Sequence, residues 1–315
     1  MEFVILDGKC AVRQDYNYDF LKKYGNVTVY DRTAPEQIVE RAKSADILLV
    51  NKVIISKETL DQLPNLKMIQ TLATGYNIID IAEAERRGIP VCNVPSYSSP
   101  SVAQVTMGLI LEITNRVGLH DISVKSGEWS ACPDFCYAKT KQIELQGKTI
   151  GLIGYGAIAK QVARICKAMD MCVLGYRRSG GTDKDAQIVD LDTLIRTSDI
   201  ISLHCPETPQ NAKFVNAELI EKMQDNVIII NTARGGIVDE YAIANALKSG
   251  KIYGYGADVL SVEPPANNHP FANLPNAVIT PHIGWASTEA RGRLLEILEK
   301  NIIGFLNGNI VNNVY

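Results

Sequence analysis

Short runs of β-branched and other apolar residues alternate with helical patterns along almost the whole chain, and this alternation narrows the fold more than any other feature. In the first hundred residues the apolar runs are Phe3–Leu6, Val27–Tyr30, Ile47–Val50, Met68–Leu72 and Ile89–Cys92. Between them, residues 16–24, 35–43, 56–62 and 78–87 carry apolar positions at helical spacing. A strand that pairs in parallel with its predecessor needs a crossover, normally a helix, so this pattern predicts a parallel sheet covered on both faces. A second series follows, with strands expected near 149–153, 172–176, 199–203, 227–231, 254–258 and 277–280. A last helix is expected from about Ser287 to Leu306. Between the two series, a helix is expected from about Pro100 to Val117, with Ser101 as an early cap. The polar and aromatic stretch from His120 to Gln146, with Trp129, Phe135 and Tyr137, reads as an arm that packs on something. Two successive doubly wound parallel α/β domains are the expected architecture.

Composition removes several function classes. A chain of 315 residues suggests about two domains. The formal net charge is −3 with basic residues scattered, which argues against a nucleic-acid surface. No apolar run has the length of a membrane span, and the opening MEFVILDGK lacks the basic lead of a signal peptide. The seven cysteines sit mostly within apolar runs. Cys132 and Cys136 have no matching Cys or His pair, so no metal site is expected and the thiols read as reduced. A cytoplasmic protein is the resulting expectation.

The apolar run Ile150–Ile153 leads into Gly154-Tyr155-Gly156-Ala157-Ile158-Ala159 and then a helical pattern. A glycine-rich turn between strand and helix is the context of the dinucleotide fingerprint. Gly154 permits the tight turn and Gly156 lets the backbone approach a pyrophosphate. The amides of Ala157 and Ile158 open a helix whose positive end faces the phosphates. Ala159 stands in the third glycine position. The next strand ends at Tyr176, where an acid would normally hold the adenosine ribose, yet Arg177, Arg178 and Ser179 follow instead. Two guanidinium groups and a hydroxyl suit a 2′-phosphate, so NADP(H) is expected in preference to NAD(H).

Three later strands each deliver a functional group: Arg234 after Val227–Asn231, Glu263 after the strand before Asp258, and His282 after Val278–Pro281. In open parallel sheets the carboxyl ends of strands form the ligand crevice. An arginine can hold a carboxylate and polarise the adjacent carbonyl, and an imidazole oriented by a carboxylate can exchange the hydroxyl proton.

The motifs ATGYN (73–77), GLIGYGAIA (151–159), HCPET (204–208), NTARGGIVDE (231–240), DVLSVEPP (258–265) and TPHIGWAS (280–287) together resemble the D-isomer-specific 2-hydroxyacid dehydrogenase family over nearly the whole chain. The resemblance implies a Rossmann nucleotide domain, 100–285, inserted into a flavodoxin-like substrate domain, 1–99 plus 286–315, with substrate in the interdomain cleft. It implies Arg234 as the substrate anchor, His282 as general acid/base and Glu263 as its partner. Lys52 and the amides of Gly75 and Tyr76 would also bind the substrate carboxylate. Cofactor contacts would come from Thr106, the pyrophosphate turn, His204, Pro206, Thr232, Asp258 and Gly284. The resemblance further implies a homodimer formed through the 120–146 arm. Arg177, Ala159 and Gln104 depart from the family's usual residues, which bears on the cofactor more than on the reaction. NVPSYSSPSVAQVT (93–106), EITNRVGLH (112–120) and DFCYAKT (134–140) resemble the glycerate dehydrogenase (hydroxypyruvate reductase) branch. The implied reaction is therefore reduction of hydroxypyruvate or glyoxylate to the D-2-hydroxyacid. A D-lactate or other 2-oxoacid reductase is the enzyme alternative, and a dinucleotide-sensing, corepressor-like binding protein is the alternative from another class.

Overall fold

The computed structural model describes residues 1–12 and 15–315. They form two compact units, Met1–Ser98 with Ala286–Tyr315, and Ser99–Trp285. In the first unit the strands are β1 (Glu2–Ile5), β2 (Asn26–Val29), β3 (Ile47–Val50), β4 (Met68–Thr71) and β5 (Val91–Cys92). Among the described residues they make a five-stranded sheet in the order β2-β1-β3-β4-β5, every pairing parallel. The central strands β3 and β4 are buried at every position, as expected for strands covered on both faces. The helices α1 (Ile38–Ala42), α2 (Lys57–Asp61) and α3 (Ile81–Arg86) form the crossovers. Ser56 and Asp80 cap α2 and α3 by accepting the Thr59 and Glu83 amides.

The second unit begins with α4 (Ser99–Asn115) and α5 (Val117–Lys125). Strands β6 (Thr149–Ile153), β7 (Cys172–Tyr176), β8 (Gln187–Ile188), β9 (Ile200–Leu203), β10 (Val227–Asn231), β11 (Ile252–Ala257) and β12 (Ala277–Ile279) follow. Helices α6 (Ala157–Ala168), α7 (Leu191–Thr197), α8 (Ala217–Lys222) and α9 (Glu240–Ser249) connect them. Among the described residues the sheet has seven strands in the order β12-β11-β10-β9-β6-β7-β8, again parallel throughout. The runs IISL in β9 and VIIIN in β10 are wholly buried and form the middle of the core.

The final helix, α10 (Thr288–Leu306), rejoins the first unit. Ser287 caps it through the Ala290 amide, and its inner face buries Ala290, Leu294, Leu298 and Ile302. Asn301 Nδ2 donates to Gln70 Oε1 and to the Asn93 carbonyl, and Arg291 forms a two-pronged ion pair with Asp15. These polar links, with the buried face of the helix, join residues distant in sequence into one unit.

Four local expectations are corrected. Helical spacing over 16–24 yields only a 3₁₀ turn, Asp19–Lys23: Leu21 and Tyr18 are buried, but the Tyr18 hydroxyl is held by the distant Gly8 carbonyl. Ser101 lies inside α4, buried, and is not its cap. The arm expected from His120 starts later, since 117–125 is helical: Arg116 in a left-handed conformation ends α4 and α5 begins at once. The two-residue strand β8 was not expected, because Gln187–Ile188 is too short to show a pattern. Among the described residues, no helix is long and apolar enough to cross a membrane.

Candidate active site

The order of the second sheet reverses beside β6: β7 and β8 lie to one side, β9 to β12 to the other. At such a switch point the loops leaving the strand ends part and leave a crevice. The glycine-rich turn sits there. Gly154 has φ +91°, and a Cβ on it would stand 2.5 Å from the Cys205 nitrogen and 2.7 Å from its Cα. Only glycine fits between these two loops. The amides of Gly154 and Tyr155 both donate to the Tyr176 carbonyl, at 3.0 and 2.9 Å, which pins the turn to the end of β7. Gly156 and Ala157 are exposed, and the first-turn amides of α6 have no partner within the helix. Ala159 is fully buried in the core under the helix, so its methyl group is accommodated.

His204 follows β9 across the switch point. Burial pushes its imidazole down to about 4, so the ring is neutral. Nε2 shares a 2.9 Å hydrogen bond with Ser202, while Nδ1 is buried without a partner. A shape-restricted glycine turn, free helix amides and an orphaned ring nitrogen together fit a dinucleotide's phosphates and polar groups. Thr106 on α4 and Thr232 after β10 are both buried and share a 2.9 Å hydrogen bond. Pro206 is exposed.

After β7, Arg177 folds onto its own turn, with Nε donating to the Gly180 carbonyl at 2.6 Å and Nη2 to that of Thr182 at 3.3 Å. Arg178 and Ser179 are exposed. Asp183 is tied to the glycine turn: it accepts from Tyr155 at 3.0 Å and pairs with Lys160. The Asp185 amide above all, then Lys160 and Tyr155, hold its carboxyl down at about 2.

The three candidate chemical groups leave the carboxyl ends of adjacent strands β10, β11 and β12. His282 Nδ1 lies 2.7 Å from Glu263 Oε2, and both side chains are about one-third exposed. A carboxylate can only accept, so Nδ1 carries the proton and Nε2 faces away from Glu263 for other work. Glu263 Oε1 accepts the Leu260 amide at 3.0 Å, which fixes the carboxylate's rotation.

His282 itself has φ +53°, an unusual conformation for a residue with a Cβ. Buried Asp258 holds it there. Its Oδ1 accepts from Thr280 Oγ1 at 2.6 Å and the Ile283 amide at 2.8 Å, and its Oδ2 accepts the Gly284 amide at 2.7 Å. Asp258 and Gly284, expected as cofactor contacts, are thus joined to each other around His282.

Arg234 is exposed at the end of β10, with Nη1 on the Ala233 carbonyl. Its turn is set by fully buried Asn231, whose Nδ2 donates to the Arg234 carbonyl while Oδ1 accepts the Ala233 amide. Gly235 stacks directly on the loop that follows β11: a Cβ there would stand 1.9 Å from the Leu260 carbonyl carbon. Backbone contact therefore registers the Arg234 turn against the Glu263 loop.

Lys52, Gly75 and Tyr76 belong to the first unit, on the loops after β3 and β4. Lys52 and Tyr76 are exposed. The Lys52 loop is carried by Asp7, whose carboxylate accepts the amides of Asn51, Lys52 and Val53. Burial raises the Asp7 carboxyl above its ordinary value despite these donors. Sequence reasoning missed both Asp7 and Asn231. Each sits just beyond or at the end of a strand, where a polar residue follows an apolar run, and that position was the available signal.

An open parallel sheet with a glycine turn at its switch point and a histidine–carboxylate pair on neighbouring strand ends defines a dinucleotide-dependent oxidoreductase. The profile described as "D-isomer specific 2-hydroxyacid dehydrogenase, NAD binding domain" matches residues 107–284. A hydroxypyruvate reductase of Blautia hydrogenotrophica is 41% identical, covering 100% of this chain and 99% of that protein. A glycerate dehydrogenase of Methylorubrum extorquens is 40% identical over 90% of each. Among solved structures, an acyclic imino acid reductase in complex with NADPH and D-Arg is similar with a TM-score of 0.89 and 31% identity, covering 100% of both chains. The chain belongs to the D-isomer-specific 2-hydroxyacid dehydrogenase family.

Proposed function

We propose that this enzyme reduces hydroxypyruvate or glyoxylate to the corresponding D-2-hydroxyacid. The observation that carries the reading is the 2.7 Å contact between His282 Nδ1 and Glu263 Oε2, beyond the carboxyl ends of β12 and β11 in the sheet that carries the glycine turn. A nicotinamide dinucleotide, when bound, supplies the hydride. The glycine turn and first amides of α6 hold its pyrophosphate, with Thr106, His204, Pro206, Thr232, Asp258 and Gly284 lining its path. Arg234 grips the substrate carboxylate with its planar fork and polarises the neighbouring carbonyl. The family resemblance also assigns carboxylate binding to Lys52 and to the amides of Gly75 and Tyr76. His282 donates the Nε2 proton to the carbonyl oxygen as that oxygen becomes the hydroxyl. Glu263 keeps Nδ1 protonated and stabilises the charged ring before transfer. The names of the similar hydroxypyruvate reductase and glycerate dehydrogenase favour these small hydroxylated substrates.

NADPH is the preferred cofactor in this reading, because the three positions directly after β7 hold Arg177, Arg178 and Ser179 in place of an acid that would repel a 2′-phosphate. The protein acts as a homodimer through α5 and the arm after it, where Ile122, Trp129 and Phe135 are exposed although apolar. A cytoplasmic setting suits its seven cysteines, all free thiols. The test is a panel of hydroxypyruvate, glyoxylate and pyruvate, each with NADPH and NADH, followed at the nicotinamide band. Highest kcat/KM for one of the first two supports the reading; faster turnover of pyruvate points to a lactate-type reductase. Tight dinucleotide binding with no turnover of any 2-oxoacid would point to a sensing role.

A further inference from the structure

We propose that Glu240 is a positioning residue for the acid/base pair, tying the loop that carries Glu263 to the helix that follows the Arg234 turn. The inference rests on the roles given to Glu263 and His282 above.

The loop between β11 and β12 has few apolar anchors near Glu263. Leu260 and Phe271 are buried, but residues 261–268 between them are all exposed. Something polar has to fix the loop's position, and the Glu240 carboxylate does so. It accepts the Ser261 amide at 2.8 Å, the Ser261 hydroxyl at 2.6 Å and His269 Nε2 at 3.2 Å. Both ends of the exposed stretch are therefore fastened to one side chain. Glu240 is the first residue of α9, yet it is not the cap of that helix: Asp239 accepts the Tyr241 and Ala242 amides. Its side chain is only 11% exposed. A carboxylate so enclosed needs its donors, and all three come from this loop. The titratable groups near it include His269 and the buried Tyr255.

A connected path results. Glu240 holds Ser261, the Leu260 amide next to it holds Glu263 Oε1, and Glu263 Oε2 holds His282 Nδ1. Gly235 lies under the same two residues, Leu260 and Ser261, so the clamp also presses the loop onto the Arg234 turn. Losing the clamp frees Glu263 to swing away from the imidazole. The ring then loses the carboxylate that orients it, and the proton is no longer delivered from a fixed position.

The experiment measures kcat for 2-oxoacid reduction across pH in Glu240→Ala, Ser261→Ala, Glu263→Gln and the double variant Glu240→Ala/Glu263→Gln. Dinucleotide affinity is read alongside by nicotinamide fluorescence. Glu240→Ala is expected to lower kcat on the order of 10- to 100-fold, as misplacement of a catalytic group does, with cofactor affinity unchanged. It should change the pH profile of kcat in the same way as Glu263→Gln does. The double variant should be no slower than Glu263→Gln alone, since both changes break one path. Ser261→Ala keeps the backbone contact and should change kcat and the profile in the same way but by less, which secures the test if Glu240→Ala does not fold. A wild-type profile in Glu240→Ala or, where that variant is not folded, in Ser261→Ala, while Glu263→Gln shifts, overturns the proposal. If Glu263→Gln leaves the profile in place, the proposed roles of Glu263 and His282 fall, and this inference falls with them.

Discussion

Asp258→Asn tests how the fold holds its histidine. The substitution barely changes shape, but one carboxylate oxygen becomes an NH₂ group that donates where the wild type accepts. Three donors converge on this buried side chain: Thr280 Oγ1, the Ile283 amide and the Gly284 amide. Whichever way the amide turns, it faces at least one N–H or O–H donor with another donor. The least costly placement puts NH₂ toward Gly284 and loses one charge-assisted bond, worth roughly 1.5–3 kcal/mol. His282 adds to the effect, because a left-handed residue with a Cβ carries about 1–2 kcal/mol of strain that the Asp258 bonds offset. With that grip weakened, the segment relaxes and the imidazole moves. Steady-state kinetics should show kcat lower by about 10²-fold, the cost of misplacement on the order of 1 Å, and thermal unfolding should show a lower Tm. Wild-type kcat with an unchanged Tm would refute the idea that Asp258 sets the geometry of His282.

Other outcomes follow from the same geometry. Arg234→Lys should lower kcat/KM by about 10- to 100-fold, because a point ammonium loses a charge-assisted contact that the planar fork makes; near-normal efficiency would move the anchor to another residue, Lys52 first. Gly235→Ala should lower both kcat and Tm, since the new methyl carbon would stand 1.9 Å from the Leu260 carbonyl carbon and 2.2 Å from the Ser261 nitrogen; a fully active, equally stable variant would mean that the two loops can part freely. NADPH should exceed NADH by at least about tenfold in kcat/KM, the value of one charge-assisted contact. Arg177→Asp should erase that ratio, and equal efficiencies in the wild type would show that the turn does not read the phosphate.

The parts legible in the sequence are those where one physical requirement dictates residue type locally. The β6–turn–α6 segment is such a case: buried parallel strand, conformationally free glycines and an apolar helix face all appear in consecutive residues. The start of α10 near Ser287 was likewise readable, and the structure adds that Ser287 caps it. Elements set by distant contacts were not. The 16–24 stretch carries helical spacing but is held as a 3₁₀ turn by links such as Tyr18 to Gly8. The start of α5 was hidden because its apolar residues Val117 and Ile122 point outward, so no inward-facing stripe marks it. In the site, Arg234, Glu263 and His282 were visible as polar groups after apolar strands. Their support was not: the bonds from Asp258 to the His282 segment and from Asn231 to the Arg234 turn are contacts that the sequence does not show. The bonds of Arg177 to the Gly180 and Thr182 carbonyls were likewise not readable. A sequence states which donors exist and leaves their acceptors to the fold.

The central claim is that His282, held by Glu263, donates the proton in 2-oxoacid reduction. Its most direct test is kcat for hydroxypyruvate reduction by His282→Gln, with dinucleotide affinity measured on the same sample. kcat should fall by about 10²–10⁴-fold with cofactor binding unchanged, because proton transfer by a positioned group contributes on that order and His282 is not among the residues assigned to the pyrophosphate. Turnover near the wild-type rate would contradict it.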